Sequence, residues 1–191
     1  MSEEDECYYL REWTKGGGYQ ASETNQLIAN LKKSNDQRGR PGYHYKGIAI
    51  GQSAREFRRA ISEEFLRQAT LVPVPPSAAQ GDPAYDDRMT QVLNQLVLGL
   101  DGDVRELIIQ RETMMPAHLS GDLRPRVVEI YENYEIDETL ANPEPRTIAL
   151  FDDVLVAGAH FKAAQRLLRE RFSGVPVIGV FIARRIFPPD E

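Results

Sequence analysis

The sequence predicts an α/β fold in which helices cover both faces of a twisted parallel sheet. Amphipathic helical patterns alternate with short apolar runs along the chain. The runs are apolar at consecutive positions, which is typical of strands that are buried on both faces. The segment Thr147–Phe161 shows one complete unit, because an apolar run ends in Asp152 and Asp153 and then enters a helix through a glycine-containing turn. A strand, a loop and a helix in this order build parallel sheets.

Length and composition favour one globular domain, residues 1–191. The chain is 41% hydrophobic and 27% charged, an ordinary composition for a globular protein. The net charge of −6 argues against a broad nucleic-acid surface, so we do not expect nucleic acid as a direct ligand. The one cysteine, Cys7, excludes an internal disulfide and a four-cysteine zinc site. No apolar run approaches the roughly 20 residues that cross a bilayer, and the acidic start is unlike a signal peptide, so we expect a cytoplasmic protein without membrane contact.

Helical spacing and two prolines define the elements in the first half of the chain. Leu27, Ile28 and Leu31 fall on one face of a helix that a serine is suited to cap. Pro75 and Pro76 end the strand that precedes them, because proline cannot donate to a sheet ladder. The predicted elements are a short edge strand at Cys7–Leu10, a helix at Ser22–Lys33, a polar loop at Ser34–Gly42, a helix at about Ser53–Gln68 and a strand at Thr70–Val74.

Charge and glycine positions mark the elements in the second half. Asp86 complements the N-terminal dipole of the helix that follows it, and Gly174 stands where the C-terminal cap of the last helix belongs. The predicted elements are helices at about Asp86–Leu98, Leu123–Tyr134 and Ala159–Phe172, and strands at Leu107–Gln110, Arg146–Asp152 and Val177–Ala183.

Three loops are expected to converge on one ligand site, namely those after Val74, Gln110 and Asp153. The carboxyl ends of parallel strands lie at one edge of a sheet, where α/β proteins bind ligands. Adjacent carboxylates there can hold a diol or a metal ion, and we expect both to be partly exposed. The N–H groups of the following turn and first helical turn have no internal partners and favour a phosphate. The candidate phosphate-binding residues are Val154, Leu155, Val156, Ala157, Gly158, Ala159 and His160.

The segment 147–161 resembles the 5-phosphoribosyl-1-pyrophosphate (PRPP) binding motif of type I phosphoribosyltransferases. That motif consists of an apolar strand, two acidic residues, several small or apolar residues and a Thr-Gly turn. Asp152 and Asp153 match the acidic pair, and Gly158 matches the turn glycine. The resemblance implies a Rossmann-like sheet with a small N-terminal hood, about residues 1–50, over the substrate site. It also implies a homodimer, as is usual in that superfamily.

Further matches resemble the ComF-like, competence-associated branch of the superfamily. Leu31 and Lys32 match the Leu-Lys pair of that branch, and Leu71–Ser77 (LVPVPPS) matches its Pro-Val-Pro loop. The branch also has a central pattern of Thr, Leu-Ser and Arg. The matching residues here are Thr113, Leu119, Ser120 and Arg124. The resemblance covers roughly residues 25 to 183. The order of the matches is more informative than any one of them, since Pro-Val-Pro after a strand is also a plain strand stop.

The resemblance implies a role for each candidate residue. Asp152 and Asp153 are the catalytic residues, which hold the ribose hydroxyls directly or through the water shell of a magnesium ion, Mg²⁺. The pyrophosphate-binding residues are Pro75, Pro76, Ser77 and Arg88, with Arg124 as a further cation. The implied reaction is Mg²⁺-dependent transfer of the phosphoribosyl group from PRPP or a nucleotide to or from a base. Its transition state gathers positive charge on the sugar and negative charge on the leaving group, so the protein needs little acid–base machinery.

Several positions depart from the family pattern. Ala157 and His160 stand where the family has threonines that contact the 5′-phosphate, and Pro116 replaces a glutamine. Each missing hydroxyl removes about 0.5–1.5 kcal/mol of binding free energy, whereas the backbone N–H groups remain. His160 is then either a phosphate contact or a helix cap, and Arg88 either a ligand contact or the partner of a nearby carboxylate. Two alternatives to an enzyme stay open: a regulator that senses PRPP or a nucleotide without turnover, and an accessory protein in DNA uptake or defence.

Overall fold

The computed structural model describes residues 5–114 and 125–188, which form seven strands and six helices. The strands are β1 (Cys7–Thr14), β2 (Thr70–Pro73), β3 (Asp103–Val104), β4 (Ile108–Gln110), β5 (Tyr134–Ile136), β6 (Ile148–Leu155) and β7 (Val177–Ile186). The helices are α1 (Glu23–Leu31), α2 (His44–Ala60), α3 (Glu63–Gln68), α4 (Arg88–Leu96), α5 (Val127–Asn133) and α6 (Ala159–Arg171). In this part of the chain no helix combines the length and the apolar character needed to cross a bilayer.

Five strands form one parallel sheet in the order β1-β7-β6-β2-β3, which confirms the predicted α/β class. Every neighbouring pair in this sheet runs parallel. The chain passes from β2 outward to β3 on one side and from β6 outward to β7 on the other, so the strand order reverses between β2 and β6. Open parallel sheets bind ligands beyond the carboxyl ends of the strands at such a reversal. The ends of β2 and β6 are therefore the expected location of a site.

Helices cover both faces of the sheet and bury a hydrophobic core on each side. On one face α1, α2 and α4 pack against the sheet, and Phe57 meets Phe151 edge to face with 5.2 Å between ring centres. On the other face α5 and α6 cover the strands, and Phe161 meets Phe181 at 6.1 Å. All four rings are fully buried. Burial of each ring stabilises the fold by roughly 1.5–3 kcal/mol.

The single helix predicted over 53–68 is wrong, because two helices occupy this range. α2 also covers residues before 53, and it ends before Ile61, which takes an extended conformation. Ser62 then caps α3 by accepting a hydrogen bond from the N–H of Phe65. The apolar stripe runs through Ile61 and Phe65 without interruption, so periodicity alone hides the break.

One predicted strand does not belong to the parallel sheet. β4 pairs antiparallel with β5 in a separate two-stranded sheet, and β5 includes Tyr134, which we expected on a helix. The short β3 holds the position beside β2 instead. A run of two residues gives no periodic pattern, so the sequence does not reveal it. β1 and β7 are longer than predicted because they pair with each other from Cys7 to Thr14.

The segment expected to form a hood divides between the sheet and one helical layer. β1 is the outer strand of the sheet, and α1 packs against both β1 and α2. The α1–α2 connection, residues 32–43, reaches the end of β6 through a contact of Lys32 with Asp153. The covering role expected for residues 1–50 stays a prediction.

We predict opposite stability changes for alanine at two glycines. A Cβ at Gly179 in β7 would lie 2.8 Å from atoms of Cys7, Phe161 and Phe181, so Gly179→Ala should lower the free energy of unfolding by about 1–3 kcal/mol through overpacking. A Cβ at Gly47 in α2 meets no atom of the described residues within 4 Å, so Gly47→Ala should raise it by about 0.5–1 kcal/mol. Urea denaturation measures both changes. A Gly179→Ala protein as stable as the unmodified one would contradict this packing.

Candidate functional site

The two adjacent acids lie within β6, so the strand end predicted at Asp152 is wrong. β6 continues to Leu155, which pairs with Arg184 in β7. Because side chains alternate along a strand, the two carboxylates leave opposite faces of the sheet. Asp153 faces the layer of α1 and α4, where it finds charged partners. Asp152 shares its register position with Phe181, which belongs to the core on the side of α5 and α6.

Asp153 is a buried carboxylate held by two cations, so the expectation of partial exposure is wrong for this residue. It is 4% exposed. Its Oδ1 lies 2.9 Å from Nζ of Lys32, and its Oδ2 accepts hydrogen bonds from Nη2 and Nε of Arg88 at 2.7 and 3.1 Å. Burial alone would raise the pKa of Asp153, but Lys32 and Arg88 outweigh burial and hold the pKa well below its usual range. The carboxylate is therefore ionised at neutral pH.

Arg88 is fixed from its other side by a second carboxylate. Its Nη1 donates to Oδ2 of Asp86 at 2.8 Å. The same oxygen accepts a hydrogen bond of 2.7 Å from Nζ of Lys46, a lysine in α2 that is only 4% exposed. Lys46, Asp86, Arg88, Asp153 and Lys32 thus form one continuous chain of ion pairs, called the charge network below. The network joins α1, α2, α4 and β6 at the carboxyl end of the sheet.

Asp152 has a different environment from its neighbour. It is half-buried, and its Oδ1 accepts the backbone N–H of Asp153 at 2.7 Å. Burial, and after it the charge of Asp153, raises the pKa of Asp152 to about 7. This carboxyl therefore changes its charge near neutral pH, while Asp153 stays ionised.

His160 is engaged by a buried tyrosine. Its Nδ1 lies 2.9 Å from the hydroxyl of Tyr134, which opens β5. Burial lowers the pKa of His160 and outweighs the opposite influence of Asp153, so the imidazole is neutral at pH 7. A phosphate contact by His160 stays a prediction, and its side chain does not cap α6.

The predicted phosphate segment forms the end of β6, a tight turn and the start of α6. Val154 and Gly158 are buried, Leu155, Ala159 and His160 are half-buried, and Val156 and Ala157 are exposed. Gly158 precedes α6 with φ 75°, a left-handed conformation that favours glycine. No side chain of the described residues caps this helix, so its first N–H groups remain available to an anion.

The predicted pyrophosphate loop, Pro75–Ser77, is braced by the segment that follows β4. Gln110 donates to the carbonyl oxygen of Pro76, and the N–H of Met114 donates to that of Ser77 at 2.7 Å. Thr113 Oγ1 accepts the N–H of Ala79 at 3.0 Å. The loops after β2 and β4 therefore do meet, although β4 lies outside the main sheet. Four residues of the family pattern fall outside the described residues: Pro116, Leu119, Ser120 and Arg124.

A cleft lies between the end of β2, the start of α4 and Asp152. Its cavity volume is about 30 Å³. Its charged lining consists of Arg88 and of four acids, Asp86, Asp87, Glu106 and Asp152. Such a lining favours a cation, or an anion that carries a cation with it.

Sequence reasoning missed Lys46 and Tyr134 as parts of this site, and it noted Lys32 only as one half of a resemblance. Lys46 gives one signal in the sequence. It stands three and four residues before Ala49 and Ile50, on the buried stripe of α2, where an unpaired lysine would be costly. A buried stripe that contains a lysine predicts a buried acid nearby, but not which one.

Comparison with models of protein families and with curated proteins finds no match for this chain. The function is therefore inferred from the residues of the site and their geometry.

We predict that neutralising Asp153 destabilises the fold. Asp153→Asn removes one of the two counter-ions of the Arg88 guanidinium and should lower the free energy of unfolding at pH 7 by roughly 3 kcal/mol. Because the folded state lowers the pKa of Asp153, its contribution is present above about pH 4 and is lost at lower pH. The deficit measured by chemical denaturation should therefore shrink below about pH 4. An undiminished deficit there would contradict the ion pairs.

Neutralising Asp152 should have the opposite pH dependence. The folded protein holds a proton on Asp152 up to about pH 7, whereas the unfolded chain releases it near the ordinary value of 3.8. The unmodified protein therefore loses stability between about pH 4 and pH 7, and Asp152→Asn should not. The difference between the two proteins should grow by on the order of 1–3 kcal/mol over this range. The exposed Asp101→Asn serves as the control, and an Asp152→Asn profile identical to that control would contradict burial of the Asp152 charge.

Proposed function

We propose that this protein is a type I phosphoribosyltransferase, which binds PRPP or a ribose-5-phosphate nucleotide with Mg²⁺ and transfers the phosphoribosyl group to or from a base. The supporting observation is the arrangement at the end of β6. Two carboxylates stand there beside Lys32 and Arg88, and the strand leads through a tight turn into the N-terminus of α6. The arrangement offers acceptors for the ribose diol, cations for the diphosphate and N–H donors for the 5′-phosphate. These are the three polar parts of PRPP.

The ribose hydroxyls would bind to Asp152, which borders the cleft. An ionised carboxylate only accepts hydrogen bonds, and both hydroxyls of a diol can donate to it. The raised pKa of Asp152 leaves the residue partly protonated near pH 7 without ligand. A cation bound nearby would favour the ionised form that accepts the diol.

The residues present fit a magnesium ion that is bound together with the ligand. Within residues 5–114 and 125–188, no three His, Cys, Asp or Glu side chains converge as in an all-protein metal site. Mg²⁺ does not require one, since it keeps several waters and is held by one or two carboxylates plus substrate phosphates. Asp152 would hold it through water at the acidic cleft. When bound, the ion would neutralise charge on the leaving pyrophosphate.

Arg88 and the Pro75–Ser77 loop would receive the diphosphate. Arg88, Pro75 and Pro76 line the same cleft, and a guanidinium presents its donors in a fork that matches phosphate oxygens. The 5′-phosphate would bind at the turn before α6, where the N–H groups and the helix dipole favour a dianion. The two sites would hold C1 of the ribose between them. The carboxylates on the ribose side would stabilise the positive charge that C1 gains as pyrophosphate leaves.

A second candidate is a regulator that senses PRPP or a nucleotide without turnover. The observation that favours it is the hydrogen bond between His160 and Tyr134, which occupies a side chain where the family places a phosphate-binding threonine. With Ala157 as the other replacement, the phosphate site has only backbone donors. Such a site binds phosphate less tightly and suits a sensor better than an efficient enzyme. An accessory role in DNA uptake or defence rests on the resemblance alone.

We predict that Mg-PRPP binds and stabilises the folded protein. Ligand at about 100 times its dissociation constant should raise the free energy of unfolding by about 2.7 kcal/mol. Asp152→Asn should abolish most of this gain with little loss of stability, and Asp101→Asn should retain it. Calorimetric titration and denaturation with and without ligand measure the effect.

The proposal fails if neither PRPP nor any nucleoside monophosphate binds, with or without Mg²⁺. Release of pyrophosphate from bound PRPP in the presence of a base then separates the enzyme from the sensor.

We predict that a restored hydroxyl at position 157 tightens phosphate binding. Ala157 is exposed in the turn before α6, so Ala157→Thr adds a donor without disturbing the core. One recovered hydrogen bond should tighten PRPP binding by up to about tenfold. Ala157→Val is the matched control, because valine has the shape of threonine without its hydroxyl. Equal affinities of these two variants would place the 5′-phosphate elsewhere. His160→Thr is unsuitable for this test, since it would leave the buried Tyr134 hydroxyl without its partner.

A further inference from the structure

Lys32 and Arg88 share one carboxylate but are held in different ways. The Arg88 guanidinium donates two hydrogen bonds to Asp153 and one to Asp86, and its side chain is 19% exposed. Within the described part of the chain, Nζ of Lys32 makes one ion pair, with Oδ1 of Asp153, and its side chain is 45% exposed. Lys32 can therefore leave Asp153 by rotation of its own side chain, whereas Arg88 cannot leave without breaking its hydrogen bonds to two carboxylates.

The backbone around Lys32 is anchored on both sides. Its N–H donates to the carbonyl of Ile28 at the end of α1, at 3.0 Å. The next carbonyl, of Lys33, accepts a hydrogen bond of 2.6 Å from the buried Lys46. Asn35 donates to the carbonyl of Tyr85, also at 2.6 Å, and so joins the α1–α2 connection to the rim of the cleft. Any exchange of partners by Lys32 is thus confined to its side chain.

Within the charge network the cations outnumber the carboxylates. The charge network contains three cations and two carboxylates, Asp86 and Asp153, so one positive charge is not compensated within it. A phosphate group carries about 1.5–2 negative charges near pH 7. The fork of Arg88 and the mobile ammonium of Lys32 are together suited to such a group.

We propose that Lys32 and Arg88 form an anion-binding pair whose counter-ion in the absence of ligand is the carboxylate of Asp153. When a diphosphate binds, it replaces Asp153 as the ion-pair partner of Lys32. The inference deepens the proposed function and rests on it for the identity of the natural ligand. When Lys32 leaves, Oδ1 of Asp153 becomes available to a ribose hydroxyl or to metal-bound water. Binding of the diphosphate would thereby prepare the site of the sugar.

The test titrates inorganic pyrophosphate, with and without Mg²⁺, into the unmodified protein, Lys32→Met and Lys33→Met. Methionine keeps the length of the aliphatic stem and removes the charge. Lys33 is the matched control, because its Nζ donates to the carbonyl of Gly42 and not to a carboxylate. Lys32→Met should weaken pyrophosphate binding about tenfold or more, as expected for the loss of one charge-assisted hydrogen bond. Lys33→Met should change it by less than about twofold.

Asp153→Asn should change pyrophosphate binding in the opposite direction. Removal of the resting counter-ion frees Lys32 and leaves Arg88 paired with Asp86 alone, so pyrophosphate should bind several-fold more tightly. Ribose 5-phosphate added after pyrophosphate, which would use the freed Oδ1 of Asp153, should bind more weakly. Thermal unfolding in parallel establishes that each variant is folded at the temperature of the titration. If Asp153→Asn is not folded there, the comparison of Lys32→Met with Lys33→Met decides alone.

The outcomes separate this inference from the proposed function. If Mg-PRPP binds and Lys32→Met behaves like Lys33→Met towards pyrophosphate, the inference is overturned and the function stands. If Mg-PRPP does not bind but pyrophosphate distinguishes the two variants, the anion-binding pair is supported and the function falls. If pyrophosphate does not bind to the unmodified protein, the inference is overturned whatever PRPP does.

Discussion

A buried carboxylate must be paired with a cation. At Asp153 this requirement determines how closely α1 and α4 approach β6. A buried charge without a partner is unfavourable by several kcal/mol, so α1 and α4 must approach β6 closely enough for Lys32 and Arg88 to reach it. The buried guanidinium in turn requires Asp86, and Asp86 is shared with Lys46 of α2. The charged side chains at the carboxyl end of the sheet are therefore positioned by successive ion pairs that begin at Asp153. The rest of the fold is stabilised by the two hydrophobic cores.

Periodicity predicts the class of this fold but not every partner of its strands. Apolar runs and helical stripes indicate an α/β protein with a parallel sheet, and the strand order confirms it. The run at Leu107–Gln110 is as apolar as a sheet strand, yet β4 pairs with β5. Pairing depends on contacts between distant segments, which an apolar pattern does not specify. The break before α3 is likewise hidden, because Ile61 continues the apolar stripe while a serine cap starts a new helix.

The candidate site is predictable in its chemistry and not in its internal pairing. Strand, acids, glycine and helix stand together in the sequence, so Asp152, Asp153 and Gly158 can be singled out by inspection. Their electrostatic partners come from segments far away along the chain, since Lys32 and Arg88 precede Asp153 by whole secondary-structure elements. Spacing carries no information about such pairs. The exposure of the two acids is not predictable from spacing either, because their burial depends on helices from distant segments of the chain.

The alternation of side chains along β6 gives its two acids separate surroundings, although they are adjacent in the sequence. One is ionised between Lys32 and Arg88, and the other titrates near neutral pH at the acidic cleft. The strand thus gives two adjacent acids different nearest neighbours. A shift of the β6 register by one residue would exchange the surroundings of Asp152 and Asp153, since it moves every side chain to the opposite face of the sheet. The alignment of β6 with β7 therefore determines which acid keeps its proton as well as which residues fill the core.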